Sequence, residues 1–311
     1  MPEFLRRAAI HLEHAGTLSQ DEFARLLDAF LGGGLPALRA ATRDVAWVQY
    51  DVLLPSPDRA GLYCALADAG REVLATGIAD EFFFVHKPPG LRVRFQTVAA
   101  GRTELDAVVR GRLKGWHSGG LVAGWHPAVY EPESHLFGGP VSMRSVHRIF
   151  TADSLAWLGF HAAAQPVGPA WAMSLLMVRA LLDALGVVGW EDLNVWERLR
   201  THAGRRLTPD ARASTGPVAD AIRRSWAAPK RLWSLLNYSA RTLVSDYRRV
   251  VTDECQRWLT DYFTSPGAYV GPREAAAFVI VFHWNRAGLP ATRQAVITEA
   301  LAAREPSQLD R

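Results

Sequence analysis

The spacing of apolar positions changes character along the chain. In "DVAWVQYDVLLPSP", Val48, Tyr50 and Val52 alternate with Trp47, Gln49 and Asp51. That period of two predicts a half-buried strand, ended by the prolines. "EFFFVH" and "LRVRFQT" read as two further strands joined by the tight turn "KPPG". "LVAGWHPAVYEP" reads as another. Residues 60 to 74 read as a helix within this strand-rich part. After residue 150 the period becomes helical. "WAMSLLMVRALLDALG" predicts an apolar helix stopped by Gly186, with its Met and Leu stripe as core, and "WEDLNVWERLRTHAG" predicts a second. "RRLTPDARASTGPV" reads as a polar loop. Helical patterns then run from about 217 to 262, "TSPGAYVGP" breaks them, and two final helices flank "NRAGLP".

Residues 3 to 31 predict two short helices, the second opened by a capping box between Ser19 and Glu22 and stopped by the glycines at 32 to 34. The expected architecture is α+β. A mixed or antiparallel sheet packs against a helical C-terminal half, with residues 1–40 as a small helical extension and 41–311 as the catalytic domain.

Composition narrows the function classes. The 311 residues are 49% hydrophobic and 21% charged, ordinary for a globular protein with a sizeable core. A net charge of +4 suits an acidic peptide or other anionic ligand, but 35 Lys and Arg nearly balance 31 Asp and Glu, so nucleic acid is not implied. No run approaches the ~18 apolar residues of a membrane span. The N-terminus lacks the apolar core of a secretory signal, so a cytoplasmic location is expected. Cys64 and Cys255 have no CxxC neighbour, no His spacing suggests a metal, and no glycine-rich loop suggests a nucleotide. The eleven tryptophans fit a bulky core or an aromatic-lined groove. The pairs Trp116–His117 and Trp125–His126 fall in the strand-rich part and could border such a groove. "DS" at 153 and 154 reads as a helix cap.

The chemistry begins in "FFFVHKPPGLRVRF". On a strand, Leu91, Val93 and Phe95 face the core, which puts Arg92 and Arg94 together on the other face. Their forked donors match carboxylate or amide oxygens, although an ordinary solvent-facing pair would look the same. Glu131 and Glu133, in "YEPESHLFGG", are also two apart and, if extended, could meet the arginines. A structural salt-bridge lattice is the competing reading.

These runs, followed by "VHRIFTADS" and then "FHWNRAGL", stand in an order that resembles the C-terminal elimination domain of lantibiotic dehydratases and its stand-alone relatives in thiopeptide biosynthesis. The resemblance covers roughly residues 44 to 290. It implies a cofactor-free, metal-free enzyme acting on a ribosomally made precursor peptide, leader plus dehydrated thiazole-containing core, as a monomer or homodimer. Two reactions occur in such families: elimination of glutamate from glutamylated Ser or Thr, and the formal [4+2] joining of two dehydroalanines into a pyridine.

Departures from the elimination pattern favour the second. Val281 stands where that pattern has a histidine, and Leu136 where it tends to have an arginine before the aromatic-Gly-Gly. Asn285 and Arg286 match the pattern and are expected at the substrate with Arg92, Arg94, Glu131 and Glu133. For proton handling, "RLWSLLNYSARTLVSDYRRV" would place Ser234, Tyr238 and Arg241 on one helical face, with Asn237 and Ser239 beside them and Asp246 and Tyr247 further along. Tyr238 is the expected relay, and His283 a further proton-handling candidate.

Overall fold

The computed structural model describes residues 19–30, 34, 45–55 and 59–303. Helix α1 (Gln20–Ala29) carries the expected capping box: the Glu22 amide donates to Ser19 Oγ while the Glu22 carboxylate accepts from the Ser19 amide. The rest of the expected N-terminal extension and its boundary at residue 40 lie outside the described residues.

Strands β1 (Val45–Leu53), β2 (Glu81–Lys87), β3 (Gly90–Val98) and β4 (Gly124–Ala128) form one sheet in the order β2-β3-β1-β4. Every pairing is antiparallel. Helix α2 (Ala60–Ala75) links β1 to β2, and α3 (Arg102–Ser118) links β3 to β4. The register sorts the side chains. Phe82, Phe95 and Val48 align across the sheet, as do Phe84, Val93 and Tyr50, and all are buried. Leu66 and Val73 of α2 and Val109 and Leu113 of α3 line the same packed layer as Val93 and Phe95.

The opposite face is not solvent. It packs under α4 (Pro140–His161), whose residues Thr151 and Ser154 accept hydrogen bonds from the outward amides of Phe82 and Phe84. Helix α4 therefore closes the free edge of β2. Further helices build the C-terminal half: α5 (Ala170–Ala184), α6 (Glu191–Thr201), α7 (Gly216–Ala227), α8 (Tyr238–Trp258), α9 (Pro272–Arg286) and α10 (Ala291–Ala302). Among the described residues no helix is long and apolar enough to cross a membrane.

Several local expectations change. Residues 102–118, which carry Trp116 and His117, are helical rather than part of a strand. Asp153 and Ser154 lie deep inside the 22-residue α4 and cap nothing. The supposed loop after residue 205 contains a short helix, Pro209–Ser214, tied back where Arg212 pairs with Glu299 at 2.8 Å. The run from 217 to 262 breaks at 235–237: one short helix ends at Ser234, and Asn237 caps α8 by accepting from the Ala240 amide.

Candidate functional site

The sheet register places three rows of side chains beneath α4: Glu81, Gln96 and Trp47; Phe83, Arg94 and Gln49; Val85, Arg92 and Asp51. The two arginines share a face, as their spacing requires, but their surroundings differ. Arg92 is half-buried and its Nε sits 3.3 Å from Asp51. Arg94 is only 5% exposed; its Nε donates to Gln49 Oε1 at 2.7 Å. Its guanidinium lies 4.3 Å from the ring centre of Tyr130 and 5.1 Å from that of Phe83. A buried cation whose nearest bonded partner is a neutral amide, held between aromatic faces, is a costly arrangement to keep for packing alone.

Around it stands an aromatic box. Trp47 meets Tyr130 edge-on at 4.7 Å and His147 at 4.5 Å, while Phe83 stacks on His147 at 5.7 Å. The Tyr130 phenol is 2.9 Å from His147 Nε2. Burial, with the Arg94 charge adding to it, pushes His147 down to about 3, so the ring stays neutral. Burial, reinforced by the Glu133 charge, raises the Tyr130 pKa and keeps the phenol protonated. Glu133 Oε2 is buried without a hydrogen-bond partner among the described residues. A cleft of about 130 Å3 opens beside the box, lined by Trp47, Gln96, Pro132, Ser134, Arg144 and His147.

A second polar cluster lies deeper. Arg286, at the end of α9, is fully buried, its guanidinium 4.3 Å from the Phe150 ring. Its Nε donates to Asp153 Oδ2, and Asp153 Oδ1 is 2.6 Å from His283 Nδ1. Burial alone would raise the Asp153 pKa; His283 and Arg286 together outweigh it and hold the carboxyl below its ordinary value. Phe150 also touches Phe83 at 5.4 Å, which joins this cluster to the aromatic box. Arg286 and Arg94 each lower the Tyr130 pKa electrostatically, so the phenol senses both guanidiniums.

The structure thus draws together only part of the expected set. Arg94 stacks on Tyr130 at 4.3 Å, and the charges of Glu133 and Arg286 both bear on that phenol; the sequence signal for Tyr130 is its place as the first residue of "YEPESHLFGG". Tyr247 is buried, and its pKa is raised by burial first and by the Asp153 charge second. His283 is in the deeper cluster, on the side of Asp153 away from Arg286.

Tyr238, the expected relay, is 84% exposed and shares no water-poor cleft with the arginines. It begins α8, because the preceding residues form a cap and not a continuous helix. Asn237 serves that cap and donates its side-chain amide to the Pro166 carbonyl. Ser239 and Asp246 are exposed on α8, Asp246 lying 4.0 Å from Arg249. Glu131 is exposed, and the segment after β4 is not extended, since Glu133 opens a helical turn over Ser134–Phe137. The glutamates therefore do not form the expected lattice with the arginines: Arg92 pairs with Asp51 and Arg94 with Gln49. Asn285 is exposed, and its backbone carbonyl is bonded to His86 Nδ1 at 2.8 Å. Of the two Trp–His pairs, His117 is engaged 3.1 Å from the Val122 carbonyl and His126 is exposed on β4.

The helix-backed antiparallel sheet, with a buried arginine and a phenol on its covered face, defines an α+β protein whose charged groups are sequestered in an aromatic interior. Residues 47–304 match the family model of the lantibiotic biosynthesis dehydratase C-terminal domain, and the chain belongs to that family. Among solved structures it is similar to the tRNA-dependent lantibiotic dehydratase MibB from Microbispora sp. 107891, with 18% identity and a TM-score of 0.59 over 82% of this chain. The chain spans only 27% of that dehydratase's length. It is also similar to TbtD, the pyridine synthase from thiomuracin biosynthesis, with 15% identity and a TM-score of 0.54. There 82% of this chain matches 96% of the other. No curated protein matches the chain in sequence.

Proposed function

We propose that this protein is a pyridine-forming cyclase of thiopeptide biosynthesis, which joins two dehydroalanines of a ribosomally made precursor peptide by formal [4+2] aza-cycloaddition. The observation that carries this reading is the make-up of two positions where glutamate elimination would use polar groups. Leu136 and Val281 are apolar there and pack against the core. Elimination needs a proton-transfer group and a cationic clamp for the departing carboxylate, and these positions supply neither.

Cycloaddition makes different demands. One dehydroalanine amide must react as its iminol, which moves a proton from nitrogen to oxygen. Two carbon–carbon bonds then close the ring. Water and the leader, as its carboxamide, leave to give the pyridine with no net oxidation. Such a site needs an acceptor for N–H, donors for the amide oxygen and walls that hold the partners together. In this reading the buried Oε2 of Glu133 takes the amide N–H. Arg94, with the Tyr130 phenol, faces the oxygen, and Trp47 and Phe83 form the walls. Positioning contributes at most roughly 7–11 kcal/mol in the most favourable intramolecular models.

Incubation with a leader-bearing bis-dehydroalanine peptide tests the proposal by mass. Loss of water with release of the leader is expected. Glutamate loss from a glutamylated precursor, with no change in the bis-dehydroalanine peptide, would overturn it.

A further inference from the structure

The deeper cluster has the connectivity of a hydrolytic triad. Asp153 Oδ1 meets His283 Nδ1, and His283 Nε2 lies 2.9 Å from Ser174 Oγ. Ser174 and Arg286 are fully buried and His283 is 2% exposed, so the serine is told from a nucleophile by its bonds and not by its burial. Ser174 Oγ is also already used as an acceptor, by the indole N–H of Trp284 at 3.1 Å. The Trp284 indole donates to Ser174, Ser174 Oγ and His283 Nε2 share a hydrogen, and Nδ1, which also has the Trp157 indole nitrogen 3.2 Å away, gives its hydrogen to the Asp153 carboxylate. The proton on Nδ1 leaves Asp153 Oδ2 free for Arg286 Nε.

Arg286 is where the chain ends. Its Nη1 and Nη2 are buried without hydrogen-bond partners among the described residues, although its Nε is fixed. A guanidinium anchored at one edge, with its other edge unpartnered in a dry interior, is prepared for an oxygen that is not part of the fold.

We infer that Asp153, His283 and Ser174 form a buried positioning chain that holds Arg286 with its Nη1–Nη2 edge open to receive an amide oxygen of the substrate. The inference rests on the cyclase reading above for the nature of that oxygen. Asp153, His283 and Ser174 are positioning residues; only Arg286 touches the substrate.

Side-chain 15N spectra of the arginines in the full chain test the arrangement without turnover. One Nε–H, identified by its loss in Arg286→Lys, is expected to be protected from solvent exchange. Asp153→Asn is expected to abolish that protection. Ser174→Ala, a milder change should Asp153→Asn fail to fold, is expected to weaken it with little change in melting temperature. With the bis-dehydroalanine peptide, Asp153→Asn is expected to lower kcat about 100-fold, the loss that follows a misplacement of about 1 Å, with KM changed far less. Millimolar guanidinium is expected to restore part of the activity of Arg286→Ala but none in the Asp153→Asn, Arg286→Ala double variant. Protection that survives in both Asp153→Asn and Ser174→Ala, or unchanged turnover in both, overturns the inference. If the wild-type chain does not cyclise the peptide, the reaction assignment fails by itself, and the spectra decide the positioning chain alone: protection lost as described supports it, and protection unchanged refutes it.

Discussion

Removing the charge of Arg94 separates a residue kept for chemistry from one kept for structure. The favourable terms can be counted. A hydrogen bond from a guanidinium to the neutral Gln49 amide contributes about 1.5–3 kcal/mol. The stacks on Tyr130 and Phe83 contribute up to about 2 kcal/mol each in a desolvated setting. Against these stands the desolvation of a 5% exposed cation, several kcal/mol even after relaxation. The sums nearly cancel. Arg94→Met alone strands Gln49 Oε1 in the interior and is expected to lose about 1–3 kcal/mol. The double variant Gln49→Leu, Arg94→Met removes that orphan, and its stability should lie within about 2 kcal/mol of the wild type. Turnover of the peptide should vanish in both. Urea unfolding followed by far-ultraviolet circular dichroism gives the stabilities, and mass spectrometry gives the turnover. A double variant more than about 4 kcal/mol less stable would refute this accounting, because it would make Arg94 a structural strut. A double variant with full turnover would refute its place in the site.

Three further outcomes follow from the same geometry. Tyr238→Phe should keep full activity, because the phenol is exposed, whereas Tyr130→Phe should lose most of it; the reverse pattern in a mass assay would restore the α8 relay. Acid should destabilise the fold between about pH 6.5 and 3. Burial holds His147 near 3 and His161 near 4, so the unfolded chain takes up protons that the folded one refuses, and stability present above 6.5 is lost as pH falls. Glu81 acts in the opposite sense. Burial raises it from 4.5 to about 7, so its contribution is present below 4.5 and is lost as pH rises through 7. Glu81→Gln should therefore steepen the acid loss measured by urea unfolding at pH 5 to 7, and a shallower slope would reverse the assignment. Gly138→Ala should cost at least about 2 kcal/mol in stability. Its φ of 91° disfavours a side chain, and an added Cβ would collide with the Tyr262 hydroxyl. A melting temperature within a degree of the wild type would contradict that.

The parts legible in the sequence were those where burial follows periodicity. Val48, Tyr50 and Val52 on β1, and Leu91, Val93 and Phe95 on β3, are buried as their alternation requires. Helices α2, α5, α6, α9 and α10 stand close to where their apolar spacing put them. Helix α4 escaped notice because it buries Ser142, Ser145, His147, Asp153 and Ser154, polar residues that blur a 3.6-residue apolar stripe. The same polar load makes α4 the backbone of the site, so its helical signal was weakest where it contributes most. Tyr238 was misplaced for a related reason. Residues 235–237 carry no proline or glycine to announce the break, and the cap at Asn237 shows only once the Pro166 carbonyl arrives from 71 positions away. Tyr130 was passed over because neighbours drawn from β1, β2, β3 and α4 give it its meaning, and no linear spacing records them.

The closed edge of β2 also has an engineering consequence. Thr151 and Ser154 take the amides of Phe82 and Phe84, and Asp153 lies between them on the same helix. The β2–β3 hairpin thereby works as a gauge block for the carboxylate: sliding it by a single position would break both contacts and turn Asp153 away from its arginine. Transplanted loops or length changes between Lys87 and Gly90 should be tolerated only if this registration survives, which makes the hairpin tip safer ground for redesign than the strand that precedes it.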